Sequence, residues 1–264
     1  MTSTSSPTSP CLGVFDSGVG GLTVLRELRE ALPGAPLHYL ADTAYAPYGE
    51  KSSDFIAARS LVIGEYLLNR GAVMLVVACN TATAHAVNAL RERWPELPIV
   101  GIEPGIKPAV AASRNGRIGV LATPATIASA RYQTLIEAHA RGVQVFSQPC
   151  PGLADLIETG ELDGPALRGL IERCCAPLRE AGVDTVLMGC THYPLVQPLF
   201  QQALGPEVQL LKIEAAVAKQ AQRYWAGDGT PSLILESTGD PTILRRLAAS
   251  AMGGTTPSTR QVRI

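Results

Sequence analysis

The apolar positions of this chain fall into short runs that are separated by longer stretches of mixed polarity. Runs such as 12–15, 37–41 and 74–78 consist largely of apolar residues, which is typical of strands buried on both faces of a sheet. The stretches between them, such as 53–69, place apolar residues at helical spacing. Because strand, loop and helix follow one another repeatedly, we predict an α/β fold with helices on both faces of a parallel sheet.

The remaining elements follow from the same pattern. Strands are predicted at 12–15, 37–41, 74–78, 99–102, 117–121, 143–146, 185–188, 208–213 and 233–235. Helices are predicted between most of these strands, among them 53–69, 81–93, 165–180, 195–204 and 215–225. A single helix is predicted to follow Pro124 and to end near Ala140.

The second half of the chain repeats features of the first half. Residues 13–17 align with 119–123, and Cys79 aligns with Cys190, at nearly equal separations along the chain. We therefore expect two similar parallel-sheet α/β domains related by pseudo-twofold symmetry, with the active site in the cleft between them. The expected division is a domain A of residues 11–100 plus 209–264, a domain B of residues 101–208, and a disordered tail of residues 1–10.

Composition and charge narrow the classes of partner. The chain has 264 residues, 46% hydrophobic and 17% charged, which is typical of a folded globular protein. Its formal net charge is −1, so a nucleic acid is not expected as the primary partner. No apolar stretch is long enough for a membrane span, and the start of the chain lacks the pattern of a secretory signal. We therefore expect a cytoplasmic protein with reduced cysteines and no membrane partner.

Polar residues recur at the ends of the predicted strands. Asp16 and Ser17 follow the first strand, Cys79 follows the third, and Thr123 and Cys190 follow strands of the second half. In open α/β sheets, ligands bind outside the carboxyl ends of the strands. The shared placement therefore predicts that these side chains belong to one site.

Two of the six cysteines have a setting that favours chemistry. A lone cysteine is most often a small buried apolar residue. Cys79 and Cys190, however, lie between a strand and a helix start, where backbone N–H groups favour the thiolate. With His192 they could supply three zinc ligands, but no C-x-x-C spacing is present and no metal site is expected. The others are assigned a structural role: Cys11, Cys150, Cys174 and Cys175.

Two thiols at one site suit the inversion of a carbon centre. A base on one face can remove a proton while an acid on the other face returns one, and a cysteine pKa near 8.5 can be tuned for both tasks. The α-carbon of an amino acid is so weak an acid that its carbanion also needs electrostatic stabilisation. A Cys-His pair for acyl transfer is the alternative, but no nucleophile-elbow sequence accompanies Cys190.

Other polar residues suit an amino-acid ligand. Asp16 or His192 could hold a proton near each thiol. Asn80, Thr81 and Thr191 could donate hydrogen bonds to a carboxylate at a helix start. The Pro-Tyr-Gly segment after Ala46 could lend backbone N–H groups, although an ordinary turn explains it equally well.

Five sequence blocks carry a resemblance to a known family. They are GVFDSGVGG at 13–21, PYG at 47–49, VACNTA at 77–82, GIEP at 101–104 and GCTHYP at 189–194. In this order they resemble the glutamate racemases of the cofactor-independent aspartate/glutamate racemase superfamily. The resemblance implies interconversion of L- and D-glutamate without pyridoxal phosphate, metal or another cofactor. The D-glutamate would supply peptidoglycan synthesis, and so cell-wall biogenesis and cell shape.

The same resemblance implies residue roles. Cys79 would act on D-glutamate and Cys190 on L-glutamate, with Asp16 and His192 assisting the thiols. The implied substrate-binding residues are Asp16, Ser17, Pro47, Tyr48, Gly49, Asn80, Thr81, Thr191, His192 and Glu158.

Two other functions stay open at this point. Another small acid, such as aspartate or a hydantoin, could fit between two thiols. A binding protein that has kept the fold, for example an inhibitor of a DNA topoisomerase, is the alternative from a different class. Relatives form different dimers, so a homodimer is compatible with the sequence without being specified by it.

One segment departs from the family pattern. Where the family usually has Asp followed by Ser or Pro, this chain has Lys212-Ile213-Glu214. An absent helix N-cap costs about 0.5–2 kcal/mol in comparable substitutions. We therefore expect weaker local order around 212–216.

Overall fold

Two parallel β-sheets organise the chain, of which a computed structural model describes residues 10–227, 229–251 and 258–264. The first sheet contains β1 (Cys11–Asp16), β2 (Leu37–Ala41), β3 (Ala72–Val77), β4 (Ile99–Gly101), β9 (Leu233–Ser237) and β10 (Thr259–Gln261), in the order β10-β9-β2-β1-β3-β4. The second contains β5 (Arg117–Ala122), β6 (Gln144–Pro149), β7 (Thr185–Met188) and β8 (Gln209–Leu211), in the order β6-β5-β7-β8. The predicted tail, residues 1–10, lies outside the described residues except for Pro10.

Helices connect the strands and cover the sheets. They are α1 (Leu22–Ala31), α2 (Ser53–Leu68), α3 (Asn80–Arg93), α4 (Ile106–Ala112), α5 (Pro124–Ala128), α6 (Ala130–His139), α7 (Leu153–Glu158), α8 (Pro165–Glu180), α9 (Gln197–Leu204), α10 (Glu214–Tyr224) and α11 (Thr242–Ala251). Two short 3-10 helices lie at Tyr48–Glu50 and Tyr193–Val196. Among the described helices, none combines the length and the apolar character that a membrane span requires.

The strand order repeats between the two sheets. The order β6-β5-β7-β8 of the second sheet matches the order β2-β1-β3-β4 within the first. The predicted internal repeat is therefore visible in the topology, and the chain has two parallel-sheet α/β domains. Cys79 follows β3 and Cys190 follows β7, which are equivalent strands of the two sheets.

The domain boundaries and the pseudo-twofold axis stay predictions. Strand β4 crosses the predicted boundary between residues 100 and 101. Strand β8 pairs with β7, so the second sheet continues beyond the predicted boundary at residue 208.

Side-chain hydrogen bonds at the starts of two helices, α6 and α10, bear on the predicted elements. Ser129 has an extended backbone, and its hydroxyl accepts a hydrogen bond from the N–H of Tyr132. This cap begins a new helix, so the predicted single helix after Pro124 is in fact α5 followed by α6. At Glu214, whose side chain is buried, the carboxylate accepts the backbone N–H of Ile213 at 2.9 Å. α10 therefore begins with an acidic residue in its first turn, which suits the helix dipole. The weaker local order expected around 212–216 stays a prediction.

A buried carboxylate on β9 connects two neighbouring elements of the first sheet, β2 and β10, and the helix α2. Glu236 is fully buried, and its carboxylate lies 2.7 Å from His38 Nε2 on β2. It also accepts hydrogen bonds from the Tyr66 hydroxyl on α2 and from Nε of Arg260 on β10, each at 2.7 Å. Burial alone would raise the pKa of Glu236, but the hydrogen bonds from His38 and Tyr66 and the charge of His38 lower it to about 2.

We expect Glu236→Gln to lower the free energy of unfolding at neutral pH by about 2–4 kcal/mol, because the partners of a buried charge lose their counterpart. A lowered pKa stabilises the fold above the unfolded value, here 4.5, and this contribution disappears as the pH falls towards 2. Urea unfolding of both proteins from pH 7 to pH 3 measures it. A difference between them that stays constant over this range contradicts the assignment.

Candidate active site

Cys79 lies at the start of α3 and caps that helix. Its Sγ accepts a hydrogen bond from the N–H of Ala82 at 3.4 Å, and its thiol lies 3.7 Å from the hydroxyl of Ser17. The expected helix-start contact is therefore present, and both contacts favour the thiolate. Burial and the charge of Asp16 outweigh them, however, and raise the pKa of Cys79 well above its ordinary value.

Cys190 forms a chain of contacts with a histidine and a glutamate. Its Sγ lies 3.5 Å from His192 Nδ1, and the other ring nitrogen contacts the carboxylate of Glu158. That carboxylate also accepts the backbone N–H of Val19 at 2.8 Å. Burial alone would lower the pKa of His192, but the charges of Cys190 and Glu158 and the hydrogen bonds to both raise it well above its ordinary value. This arrangement favours an imidazolium beside the thiol.

Asp16 links the two cysteine regions. Its Oδ1 accepts the N–H of Ser17 at 2.8 Å and lies 3.5 Å from the Ser17 hydroxyl. Its Oδ2 accepts the N–H of Gly21 and, at 3.3 Å, the hydroxyl of Thr191. Ser17 contacts Cys79, and Thr191 is the neighbour of Cys190 in the chain. Asp16 therefore connects the surroundings of the two sulfur atoms through a continuous series of contacts. Burial raises the pKa of Asp16, although the charge of His192 opposes this.

The glycine-rich turn after β1 allows the two sheets to approach closely. A Cβ atom at Gly20 would lie 2.7 Å from both His192 Nδ1 and Thr191 Oγ1 and 2.8 Å from the His192 backbone nitrogen. At Gly18 a Cβ atom would overlap the carboxylate of Glu158. The absence of side chains at these positions is therefore a steric requirement of the site.

Hydroxyl groups from both domains meet beside Cys79. Thr81 Oγ1 lies 3.0 Å from Thr123 Oγ1 and 3.3 Å from Thr126 Oγ1. Asn80 is 2% exposed, and neither the oxygen nor the nitrogen of its side-chain amide has a hydrogen-bond partner among the described residues. Unpaired buried amide groups are rare and unfavourable, so Asn80 has unused capacity to bind a polar ligand.

The Pro-Tyr-Gly segment lies on the side of the site formed by α5. Gly49 is buried, and a Cβ atom there would lie 2.9 Å from Cβ and Cγ2 of Thr123. Tyr48 is also buried, but its hydroxyl donates to Asp42 Oδ2 at 2.5 Å. Pro47 is half-buried.

The cysteines are enclosed and reduced. Cys79 is 4% exposed and Cys190 is 6% exposed, so both thiols are shielded from bulk water. All six cysteines lie within the described part of the chain, and none of them forms a disulfide. Across that same part, no group of three or more His, Cys, Asp or Glu side chains has an arrangement that could hold a metal ion.

Comparisons with known proteins give the family. Residues 13–221 match the model of the family described as Asp/Glu/Hydantoin racemase. The chain belongs to this racemase family. It is 55% identical over 215 residues to a glutamate racemase of Pseudomonas aeruginosa, and the aligned region covers 81% of each chain. In structure it is similar to glutamate racemase isoform RacE1 of Bacillus anthracis, with a TM-score of 0.87, 30% identity and coverage of 97% and 98% of the two chains.

A second solved structure was determined with small molecules bound. It is the Escherichia coli glutamate racemase in complex with L-glutamate and the activator UDP-MurNAc-ala. The present chain matches it with a TM-score of 0.84 and 32% identity, over 95% of this chain and 97% of that one.

Thr123, which its place at a strand end assigned to the site, lies beside Thr81. Two further residues, Thr126 and Tyr39, did not emerge from the sequence as site residues. Thr126 lies in the site only because the hydroxyl of Thr123 caps α5 and so directs Thr126 towards Thr81. Tyr39, which donates to the backbone oxygen of Gly18 at 2.7 Å, had no sequence signal beyond its place in β2.

We expect Gly20→Ala to destabilise this racemase by about 1–3 kcal/mol, because the new methyl group meets the His192 backbone and cannot be accommodated by a rotamer change. The NMR signals of the His192 imidazole should shift as well. Gly34→Ala is the matched control, since a Cβ atom there meets nothing within 4 Å. Equal melting temperatures for the two variants contradict the steric role of Gly20.

Proposed function

We propose that this protein is a glutamate racemase in which Cys79 and Cys190 exchange protons with opposite faces of the α-carbon. The observation that carries the proposal is their placement at the ends of equivalent strands of two repeated sheets, within one line of buried contacts. Its family and its identity to glutamate racemases support the same substrate.

The reaction transfers one proton in each direction. A thiolate takes the proton of the α-carbon, so that a C–H bond breaks and an S–H bond forms. The thiol on the other face then gives its proton to the carbanion, which inverts the centre and leaves a thiolate there. Following the resemblance, Cys79 accepts the proton of D-glutamate and Cys190 that of L-glutamate.

The proposed substrate carries a positive ammonium group that bears on the charge of Cys79. Burial and Asp16 disfavour a Cys79 thiolate, so the resting cysteine is a neutral thiol at pH 7. The ammonium group of glutamate would offset the charge of Asp16 and so favour the Cys79 thiolate. On the other side, Glu158 holds the His192 ring against the sulfur of Cys190.

The polar groups of the site match the two carboxylates of glutamate. The amide nitrogen of Asn80 and the hydroxyls of Ser17, Thr81 and Thr191 can donate to a carboxylate. The hydroxyls of Thr123 and Thr126 continue this set of hydroxyls in the second domain, towards Gly49. Binding between the domains would withdraw the substrate from water, which strengthens each of these hydrogen bonds.

The expected cellular role follows from the product. D-glutamate would supply peptidoglycan synthesis, with the enzyme in the cytoplasm, where its free thiols remain reduced. The homodimer and the exclusion of nucleic acid as a primary partner stay predictions, which sedimentation and a gel-shift assay would test.

We expect Cys79→Ala and Cys190→Ala each to reduce racemisation by at least about 10³-fold, because each removes one of two essential acid/base groups. Circular dichroism of either glutamate enantiomer, with dialysed protein and EDTA, follows the reaction directly. The fold should persist, since both changes remove only a sulfur. Cys11→Ala is the matched control, because Cys11 is also buried but lies at the opposite end of β1.

Three outcomes contradict the proposal. In the first, wild-type protein leaves the optical signal of glutamate unchanged. In the second, either active-site variant retains racemisation comparable to that of Cys11→Ala. In the third, the wild type racemises aspartate or a hydantoin faster than glutamate, which would keep the two-thiol chemistry and replace the substrate.

A further inference from the structure

We propose that Asp42 and Arg59 are positioning residues of the active site, which hold the Tyr48–Gly49 segment against the hydroxyl group of Thr123. The inference rests on the proposed function for its kinetic consequences. Neither residue belongs to the acid/base or ligand-binding set described above.

Asp42 is a buried carboxylate with every oxygen engaged. It directly follows β2 and is fully buried. Its Oδ2 accepts from the Tyr48 hydroxyl at 2.5 Å and from Arg59 Nε at 2.8 Å. Its Oδ1 accepts from Arg59 Nη2 at 2.7 Å and from the Thr238 hydroxyl at 2.9 Å. A buried charge with four donors fixes its neighbours in one arrangement.

Arg59 is the ion-pair partner of this carboxylate. The guanidinium on α2 forms a two-pronged pair with Asp42, a geometry that lysine cannot reproduce. It lies 4.3 Å from the centre of the Tyr45 ring, and its Nη1 donates to the backbone oxygen of Ile264 at 3.3 Å. Arg59 is therefore itself held from two further sides.

The bond from Tyr48 to Asp42 defines what Tyr48 can do. Its phenolic proton is committed to Asp42, and burial together with the Asp42 charge raises the pKa of Tyr48, so the ring stays neutral. Tyr48 therefore cannot donate to a substrate. Its hydroxyl instead anchors the backbone that carries Gly49.

Gly49 transmits this anchoring to the substrate-binding hydroxyls. It packs against Thr123 so closely that a Cβ atom would lie 2.9 Å from the Thr123 side chain. Thr123 in turn lies 3.0 Å from Thr81 across the two domains. A displacement of the Tyr48–Gly49 backbone would therefore loosen the group of hydroxyls that we assign to a carboxylate of glutamate, and substrate binding should weaken more than proton transfer.

The test compares Asp42→Asn, Tyr48→Phe and the double variant by steady-state kinetics with both enantiomers. We expect Asp42→Asn to raise KM by about tenfold or more, with kcat changed by less than about threefold. Because Asp42→Asn weakens and Tyr48→Phe removes the same Tyr48–Asp42 hydrogen bond, the effects should be less than additive in the double variant. Arg59→Lys should also raise KM, since a lysine cannot form the two-pronged pair.

Glu236→Gln is the matched structural control. Glu236 is equally buried in the same sheet and is likewise paired with a tyrosine and an arginine, but it does not contact the Tyr48–Gly49 segment. We expect it to lower stability and to leave the KM of the folded enzyme unchanged. Equal KM values for Asp42→Asn, Glu236→Gln and the wild type overturn the proposal, as do additive effects in the double variant.

Two further readouts keep the test decisive. If Asp42→Asn fails to fold, Tyr48→Phe decides alone, and an unchanged KM for that variant overturns the proposal. The ¹³C-methyl NMR signal of Thr123 does not depend on activity, and it should shift in Tyr48→Phe but not in Glu236→Gln. A shift without any glutamate racemisation by the wild type refutes the proposed function alone, whereas racemisation without a shift refutes the positioning role.

Discussion

The close approach of two sheets at a glycine-rich turn is the constraint on which this site depends. The turn after β1 brings backbone from the first domain within contact distance of Glu158, Thr191 and His192 from the second. Gly18 and Gly20 make this approach sterically possible. Gly49 has the same role on the other side of the site, where it meets Thr123. Functional groups that are far apart in sequence thereby come to share one small buried volume.

The burial of these ionisable groups is electrostatically unfavourable, because a low-dielectric surrounding disfavours every charge. The protein resolves it by giving each ionisable group a partner. Asp16 accepts backbone and hydroxyl donors, while His192 lies between Cys190 and Glu158. Burial and the charge of Asp16 disfavour the charged form of Cys79, and the ammonium group of the proposed substrate would offset the Asp16 charge.

Two similar clusters around buried carboxylates in the first domain have different roles. Glu236 and Asp42 are both fully buried carboxylates paired with a tyrosine and an arginine. The Glu236 cluster joins β2, α2, β9 and β10, and so holds the sheet together. The Asp42 cluster faces the active site and fixes the loop that lines it. Position within the sheet, and not the kind of interaction, distinguishes a structural role from a positioning one.

The sequence alone determined the fold class, the order of most elements and the position of the two cysteines. These follow from local patterns: apolar periodicity, glycine at turns, and cysteine between a strand and a helix. Strand β10 is only three residues long, too short for such a pattern, and the division into α5 and α6 depends on a single serine cap. The contacts of Asp16 with Thr191 and of Asp42 with Thr238 arise between segments remote in sequence. Only the tertiary structure decided them, because a side chain's partners and burial, and therefore its pKa, depend on how the packed sheets bring distant segments together.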